Sequence, residues 1–499
     1  MIQATGSLVL VGLVSLAIRL ALIWKSRKHG CDAYYFLLAS EVFKKEKKIP
    51  IVLPPVYRLE QQEQWYPPGF SVFLSLFQRK WLDEYYWLIS PATDSLLAIL
   101  AASIGYVATG MWPVALVTGL CYALNAASMV DCTNLNSRIL GSLLLSLTML
   151  STLAFLSNSV WFLIPAALFG ALTLLTHKSS SQLLYFLVIV LAIALRSLWP
   201  VVAILAILNV AMLLSRGFMV KVWKGQYDIL SFWNRNWRKL GMHPIYNSPA
   251  YPNAPVHTEK VHLRGWRGAW KTVSLMGLNA FILPALWVLP HYASLGAWDK
   301  LVFWWAAGTY IMGILTQAVP VLRFAGEGYR YIKLAALPVG YLCAVPLLYQ
   351  WQPMWVYYCL LAISATIGAY LIWRLSRWAT GDIAHSMPAV STGMQLVIDR
   401  LRADKTVENI LCVPDGIADA IGYYVRKPIL RGTHNVYFKQ VDPFFPVHKL
   451  PLEYLVKGYK VSHLVVAVRH TDTGLLELDQ HELMVRSEDY ELYKTRRKR

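Results

Sequence analysis

SQLLYFLVIVLAIALRSLWPVVAILAILNVAMLLS, residues 181–215, contains a single charged side chain, that of Arg196. An apolar run of about 18–22 residues is long enough as a helix to cross the ~30 Å hydrocarbon core of a bilayer. No water reaches the backbone there, so each run must satisfy its own hydrogen bonds by being helical. The stretch therefore predicts two consecutive transmembrane helices, near residues 181–196 and 198–215.

Similar apolar runs recur from the N-terminus to about Trp373, and the chain is 56% hydrophobic and only 15% charged, with a mean hydropathy of +0.43. A soluble protein cannot hide that much apolar surface. The sequence predicts a polytopic α-helical membrane protein with about eleven spans, the first a retained anchor because it lacks a cleavage site. They lie near residues 5–24, 86–108, 111–128, 138–157, 160–175, 181–196, 198–215, 270–290, 300–320, 333–350 and 354–374.

Two long polar loops interrupt the spans. The first, residues 25–68, is predicted to begin with an amphipathic helix, Tyr34–Lys48, and ends in WYPP. The second, residues 216–271, interleaves tryptophan with arginine and lysine, which is typical of a helix lying among lipid headgroups. Nucleic-acid binding is not expected of it, because membrane spans flank it on both sides. The short apolar segment Gly69–Phe77 cannot cross the bilayer, so it is expected to lie in the interface or to re-enter.

After Trp378 the composition changes to that of a small α/β domain of about 120 residues. Its predicted helices are MQLVIDRLRAD (394–404) and ADAIGYYV (418–425), and its predicted strands are NILCV (409–413), PILRG (428–432), HLVVAV (463–468) and a closing strand or hairpin at 481–495. The predicted organisation is thus a membrane module over residues 1–376 and a soluble domain over 377–499. No glycine-rich nucleotide-binding motif occurs in it. The six cysteines are scattered without metal-ligand spacing, so neither a zinc site nor a disulfide framework is expected.

The charged loops fall on one side when the spans are traced alternately across the membrane. Both long loops, the short loops at Asp131–Arg138, 177–178 and Arg323–Lys333, and the C-terminal domain share that side. The opposite side carries little beyond Arg196 and the Asp299–Lys300 pair. We therefore expect the chemistry of the protein to lie on one face.

Several polar residues on that face are candidates for function. Asp32, in HGCDAYYF, directly follows the first span, where a carboxylate is costly unless it is solvated or paired; the alternative is an N-cap for the helix from Ala33. Tyr66-Pro67-Pro68-Gly69 could equally be a rigid turn. Basic residues at the loops suit an anionic headgroup or phosphate, although they could simply anchor helix ends, and Glu327 is placed to pair with two of them. These basic residues are Arg138, Lys178, Arg323, Arg330 and Lys333.

The order of these motifs resembles that of a known group of enzymes. D-x-Y-Y at 32–35, W-Y-P-P-G-F at 65–70, S-R-I-L-G at 137–141, L-T-H-K at 175–178 and G-E-G-Y-R-Y-I-K-L-A-A-L-P at 326–338 follow one another. This order is similar to that of the GT-C superfamily, the membrane glycosyltransferases that use polyprenyl-phosphate sugars, and especially to protein mannosyltransferases and aminoarabinose lipid A transferases. The resemblance covers most of residues 1–375.

The resemblance implies a role for each matching residue. Asp32 matches the acidic residue of the first loop, the catalytic base or acceptor-orienting carboxylate. As the base it would take the acceptor proton while the acceptor attacks the sugar C1 with inversion and loss of lipid phosphate. Arg330 matches a late-loop residue near the donor phosphate. The implied phosphate-binding set is Arg330, Lys178, Arg323, Arg138 and Lys333, and the implied pocket residues are Tyr66, Pro67, Tyr34 and His177.

The chain departs from the pattern at the second acidic position. Asp32 is followed by Ala33, so either one carboxylate suffices or a second comes from Glu60, Glu63 or Asp131. No D-x-D motif occurs in the first loop, so we expect neither a catalytic metal nor another cofactor; the lipid-phosphate sugar is a substrate. A net charge of +19 suits anionic lipid partners. The acceptor could be a protein, a lipid or a glycan.

Membrane orientation and function each have an open alternative. The resemblance places Asp32 on the extracytoplasmic side of the cytoplasmic membrane, whereas Lys25, Arg27 and Lys28 after the first span favour the cytoplasm; we follow the resemblance. A flippase or transporter would place ionisable residues within repeated spans, but the spans are nearly free of charge, with Arg19 and Asp94 as exceptions, and no repeat is visible. The long second loop also fits an O-antigen ligase or polymerase. A non-catalytic subunit would tolerate replacement of Asp32.

Overall fold

The computed structural model describes residues 2–24, 32–49, 56, 65–157, 159–239, 243–255, 265–268, 270, 279–378, 390–432 and 441–496. Its contacts divide the chain into two compact units, which we describe separately. The first unit comprises residues 1–25, 87–220 and 263–381, and the second comprises residues 26–86, 221–262 and 382–499. The second unit thus combines most of both long loops with the C-terminal domain, and the domain boundary at residue 376 stays a prediction.

Seven helices in the described part of the chain are long and apolar enough to cross a membrane: Ile2–Ile23, Arg79–Thr109, Ser137–Ser157, Lys178–Leu195, Ala297–Ala318, Tyr329–Tyr349 and Met354–Trp378. The number rises to nine if two bent pairs each form one span, namely Trp112–Ala123 with Ala126–Thr133 and Trp199–Leu214 with Met219–Asn236. The protein is therefore an integral membrane protein, although the predicted count of about eleven spans is not confirmed.

Two predicted spans account for the difference. The segment near 160–175 forms a short apolar helical stretch, Val160–Leu174. The segment near 270–290 is described only from residue 279, where a single helical turn, Ile282–Ala285, runs into a 3₁₀ helix, Leu286–Ser294. Pro284 and Pro290 lack the backbone N–H that a regular α-helix needs, so this segment cannot continue as one straight α-helix.

Small residues allow the helices of the first unit to approach closely. A Cβ on Gly105 would lie 2.9 Å from the Thr118 hydroxyl, and one on Gly119 would lie 2.8 Å from both Ala102 and Val11. Close approach through small residues replaces the hydrophobic driving force that lipid cannot supply. The first three spans of the chain therefore pack closely, with side chains of one helix against the backbone of the next at these glycines.

The first helix of the second unit, Asp32–Glu46, differs from its predicted amphipathic character. Every residue from Ala33 to Ser40 is buried, and exposure begins only near the end of the helix. The helix is packed on all sides over its first two turns because aromatic residues surround it: Tyr35 and Phe36 both contact the ring of Tyr66, at 6.0 and 5.9 Å. The prediction of a one-sided helix is therefore wrong for this half.

The C-terminal domain follows its predicted order closely. Strands β1 (Ile410–Val413), β2 (His463–Ala467), β3 (Glu482–Arg486) and β4 (Tyr490–Lys494) form a sheet in the order β1-β2-β4-β3. β1 pairs in parallel with β2, and β3 and β4 form the predicted closing hairpin. The helices are Thr392–Ala403, Ala418–Val425 and an unpredicted Leu452–Gly458.

The predicted strand at 428–432 is wrong. Only Ile429 pairs with Ile410, in one isolated bridge, and its own N–H donates to the Val56 carbonyl at 2.7 Å. Pro428 has no N–H to offer a ladder. The core of the domain also takes in Ile245 from the second loop, beside Leu464 and Val466. The loop and the domain therefore share one hydrophobic core.

Candidate functional site

A cavity in the first unit collects four of the predicted site residues: Arg138, His177, Arg330 and Lys333. These residues come from three separate loops of the chain. Asp131, Ser142, Ser179, Tyr329 and Leu334 complete the lining. The cavity thus brings together polar residues that the sequence places up to 202 positions apart.

Two long helices begin at this cavity. Arg138 is the second residue of the helix Ser137–Ser157, and His177 is the N-cap of the helix Lys178–Leu195, where its ring lies 3.0 Å from the Ser180 hydroxyl. Helix N-termini carry unpaired backbone N–H groups and the positive end of the helix dipole. The backbone therefore adds to the positive potential that the side chains create.

Gly141, the glycine of S-R-I-L-G, lets these two helix ends approach. A Cβ at this position would lie 2.4 Å from the Cβ of His177. No side chain fits in that space, so the glycine sets how closely the L-T-H-K loop packs on the helix Ser137–Ser157. The contact between Gly141 and His177 thus brings the S-R-I-L-G and L-T-H-K motifs together.

The G-E-G-Y-R loop is fixed against the helix Ala297–Ala318. Gly326 has a φ of +101°, which favours glycine, and a Cβ on Gly328 would lie 1.9 Å from the Gly313 carbonyl oxygen. The Gly328 N–H also donates to the Gln317 side chain at 3.0 Å. Backbone packed against backbone holds Arg330, two residues later, in a defined place.

Two carboxylates hold three of the cations. Asp131 accepts from Lys333 at 3.1 Å and from Arg138 at 3.4 Å, and the buried Glu327 pairs with the half-exposed Arg330. The prediction that Glu327 pairs with Arg330 is confirmed. Asp131, one candidate for a second catalytic carboxylate, is instead engaged by two cations, which suits a role in positioning them.

The described side chains leave this region with excess positive charge. Lys178 lies near enough to Arg330 to repel it electrostatically, does not itself line the cavity, and has no carboxylate partner among the residues the structure describes. Four cations against two carboxylates leave two formal positive charges. Burial, aided by Arg138 and other neighbouring cations, lowers the pKa of His177 to about 3, so its ring is neutral near pH 7.

The other predicted site residues belong to the second unit or lie outside the described part. Asp32 is the first residue of its helix and partly exposed, Tyr34 and Pro67 are buried, and Tyr66 is half-buried. Glu60, Glu63 and the side chain of Arg323 lie outside the described residues. The structure therefore brings three of the five predicted cations into the cavity, with Lys178 close to Arg330, and leaves the role of Asp32 a prediction.

A buried ion pair lies deeper in the same unit. Arg19 pairs with Asp94, whose other oxygen accepts from the Tyr122 hydroxyl at 2.5 Å, and Arg19 also donates to the Ala123 carbonyl at 3.2 Å. A second, smaller cavity is lined by Asp94 and Tyr122 and shares four lining residues with the first: Asp131, Ser142, Lys333 and Leu334. The two charges noted within the spans are thus partners, which no local pattern in the sequence revealed.

Sequence reasoning also missed Asn136, which lies in the loop between Asp131 and Arg138. The Asn136 side chain donates to the Asp131 carbonyl at 3.0 Å and accepts from the Arg138 N–H at 2.8 Å, which folds the loop between these residues. The run N-x-N-S-R at 134–138 is a turn signal that could have indicated this. Within the described residues, no three His, Cys, Asp or Glu side chains lie together as metal ligands.

Comparison with solved structures gives extensive matches in fold. ArnT from Cupriavidus metallidurans, bound to undecaprenyl phosphate, aligns over 99% of both chains with a TM-score of 0.60 at 12% identity. The oligosaccharyltransferase of Archaeoglobus fulgidus aligns over 99% of this chain and 74% of its own, with a TM-score of 0.58 at 10% identity. No family model and no curated protein sequence matches the chain.

The matched structures share one architecture. ArnT, an aminoarabinose lipid A transferase, and the archaeal oligosaccharyltransferase AglB are both members of the GT-C superfamily. The matches extend over nearly the whole chain, including the C-terminal domain. This chain therefore has the same fold as these two structures, as its motif order predicted.

Proposed function

We propose that the protein is an inverting glycosyltransferase that moves a sugar from a polyprenyl-phosphate donor to an acceptor at the membrane surface. The observation that carries this proposal is the cation-rich cavity at two helix N-termini, with two formal positive charges in excess among the described side chains. Solved structures of the same fold support it, since ArnT has been seen with undecaprenyl phosphate and AglB with dolichol-phosphate.

The cavity residues suit the leaving group of this reaction. As the bond between sugar C1 and phosphate oxygen breaks, negative charge grows on the phosphate. Arg138, Arg330 and Lys333 would stabilise that charge through charge-assisted contacts. Lys178, which does not line the cavity, would add its positive charge from nearby. Because Asp131 and Glu327 already hold three of these cations, little reorganisation is needed as the charge develops.

Asp32 remains the proposed base, taking the acceptor proton as the acceptor attacks C1. Asp32 is partly exposed and is the first residue of its helix, which supports this role. Tyr34, Tyr66 and Pro67 would shape the surrounding pocket. We place this face on the extracytoplasmic side of the cytoplasmic membrane.

We further propose that the reaction needs no metal. Loss of a monophosphate lipid from C1 leaves charge that the cavity cations can stabilise without a Lewis acid. An oligosaccharyltransferase structure of the same fold has been solved with zinc and sulfate, so a metal-dependent alternative exists among these folds. Activity should survive exhaustive chelation; inhibition by EDTA that manganese reverses would contradict the metal-free proposal.

The direct test is lipid selectivity of the purified full-length protein in nanodiscs. We expect undecaprenyl phosphate to bind far more tightly than undecaprenol, which has the same tail without the charge. Lys178→Gln removes one cation and leaves no carboxylate unpaired among the described residues, so affinity should fall about fivefold without loss of stability. Arg374→Ala, an exposed arginine on the helix Met354–Trp378, is the matched control. Equal binding of phosphate and alcohol would contradict the proposal.

A further inference from the structure

The helix that begins at Asp32 packs against the C-terminal domain within the second unit. The ring of Tyr34, which is 1% exposed, lies 5.3 Å from the ring of Tyr423 and 5.4 Å from that of Tyr424. Both tyrosines belong to the helix Ala418–Val425. Aromatic pairs at this distance add stability beyond that which comes from burying their surface area. The soluble domain therefore contacts the residue two positions after the proposed base.

An ionic contact joins the same two helices further along. Arg426 donates to both oxygens of Glu41, at 2.5 and 3.0 Å, and Arg79 pairs with the same carboxylate. A bidentate guanidinium–carboxylate pair fixes direction as well as distance. All three side chains are only partly exposed. Such a pair is worth little when isolated at a surface, but here it is one member of a network.

Tyr423 is the centre of this network. Its hydroxyl donates to Asp83 at 2.5 Å, and the guanidinium carbons of Arg79 and Arg426 lie 4.6 and 4.7 Å from its ring centroid. Cations within about 6 Å of an aromatic face are attracted by its quadrupole. One ring thus links two arginines and two acidic residues from three segments of the chain.

A backbone contact extends the interface beyond the helix. The Ile429 N–H donates to the Val56 carbonyl at 2.7 Å, and a Cβ on Gly422 would lie 2.8 Å from the Val56 side chain. The C-terminal domain therefore holds both the helix Asp32–Glu46 and a residue of the loop that follows it. The contacts are aromatic, ionic and backbone in kind, so no single class of interaction explains them.

We propose that Tyr423, Tyr424 and Arg426 are positioning residues for Asp32, so that the soluble domain sets the orientation of the catalytic carboxylate. The inference rests on the proposed function, in which Asp32 is the base. Tyr34 and Glu41 are fixed points about 10 Å apart along a stiff helix, since each residue rises ~1.5 Å. Two fixed points define the helix axis, and a catalytic group must be held within about 0.5 Å of its productive position.

Hydrogen exchange of the full-length protein in nanodiscs tests the structural half of the proposal. Arg426 has a φ of 60°, so Arg426→Asn is the suitable variant because asparagine tolerates that backbone and cannot reach Glu41. We expect amides 33–40 to exchange at least about fivefold faster in this variant. Arg469→Ala, which breaks pairs with Glu488 and Asp489 elsewhere in the same domain, is the control. Unchanged exchange over 33–40 overturns the proposal.

Steady-state kinetics test the functional half. Arg426→Asn should lower kcat about tenfold through misplacement of the base, while the donor KM and the affinity for undecaprenyl phosphate stay within about twofold. Arg426→Lys, which keeps the positive charge facing Glu41, should recover part of kcat. Tyr423→Phe, which keeps the ring and loses the hydroxyl contacts with Asp83 and Arg79, is the milder variant should Arg426→Asn fail to fold.

The two measurements separate this inference from the proposed function. Faster exchange with unchanged kcat overturns the positioning role while leaving the transferase intact. Faster exchange in a protein whose wild type transfers no sugar, yet binds the lipid, shows that the proposed function fails and that the domain holds this helix for another purpose. Faster exchange together with the selective loss of kcat is the result that we expect.

Discussion

Asp131 shows how much of the candidate site depends on single side chains. Its carboxylate accepts from Lys333 and Arg138, which come from different helices, and its backbone carbonyl accepts from Asn136. Sequence reasoning selected Arg138 and Lys333 individually, because cations at the ends of apolar spans suit anionic ligands. It could not select their shared partner, because Asp131 and Lys333 are 202 residues apart and only the fold brings them together.

Arg330 contributes to both stability and binding, and the two contributions can be separated. Arg330→Ala leaves the buried Glu327 carboxylate without this pairing, so we expect a loss of about 1.5–3 kcal/mol in stability together with weaker lipid-phosphate binding. Adding Glu327→Gln should restore much of the stability and none of the binding. Thermal melting and native mass spectrometry with undecaprenyl phosphate measure the two effects. Recovery of binding in the double variant would place the phosphate elsewhere.

Asp32 carries the proposed proton transfer. Asp32→Asn keeps the shape of the side chain and removes the base, so transfer should fall by about 10²–10⁴-fold while donor binding stays intact. The assay is sugar release from a radiolabelled polyprenyl-phosphate donor, with Asp32→Glu as a partial rescue. Turnover retained in Asp32→Asn would remove this residue as the base and favour the non-catalytic alternative.

At the scale of elements, apolar run length predicted helices well and loop packing poorly. The span predicted near 138–157 is the helix Ser137–Ser157, because lipid leaves its backbone no other partner. The helix after the first span was expected to have one exposed face, yet Ala33–Ser40 is buried throughout. Its aromatic neighbours, including Tyr423, come from segments distant in sequence. The periodicity of apolar residues within one helix cannot reveal such neighbours.

The close approach of Gly328 to Gly313 predicts a sharp response to added volume. Gly328→Ala would place a methyl group against a backbone carbonyl, so the loop must shift, at a cost of about 1–3 kcal/mol. Because Arg330 moves with this loop, lipid-phosphate affinity should fall as well. Gly6→Ala, at a helical glycine with open space around it, is the matched control and should not destabilise. Unchanged lipid binding in Gly328→Ala would show that the loop does not position Arg330.

At the scale of the whole molecule, the division of the chain cuts across its order in sequence. Most of both long loops joins the C-terminal domain in one unit, and Ile245 of the second loop enters the core of that domain. Composition marked the start of the soluble domain because apolar runs end near Trp378. It could not assign the loops to that domain, since their hydrophobic residues have no partners until the chain is folded.

The shared core makes the second unit sensitive to acid. Burial, with Arg431 and His243 nearby, lowers the pKa of His448 to about 4. A histidine in the unfolded chain has a pKa of about 6.5. Between about pH 4 and pH 6.5 the unfolded chain therefore binds a proton at this position and the folded chain does not. The free energy of unfolding should therefore fall as pH drops from about 6.5 to 4, by at most about 1.4 kcal/mol per pH unit. The apparent melting temperature should fall less steeply in His448→Gln, and identical slopes would contradict this.

The excess of two positive charges near the cavity carries a consequence for turnover. A polyprenyl-phosphate sugar is a phosphodiester with one negative charge, whereas the lipid released after transfer is a monoester with about −1.5 to −2 charges near neutral pH. Under the proposed function, the cavity therefore complements the released lipid monophosphate better than the sugar-bearing donor, so release of this product should limit the steady-state rate. Free undecaprenyl phosphate should inhibit competitively against the donor, with an inhibition constant below the donor KM. That inhibition should weaken below about pH 6, where the monoester gains a proton.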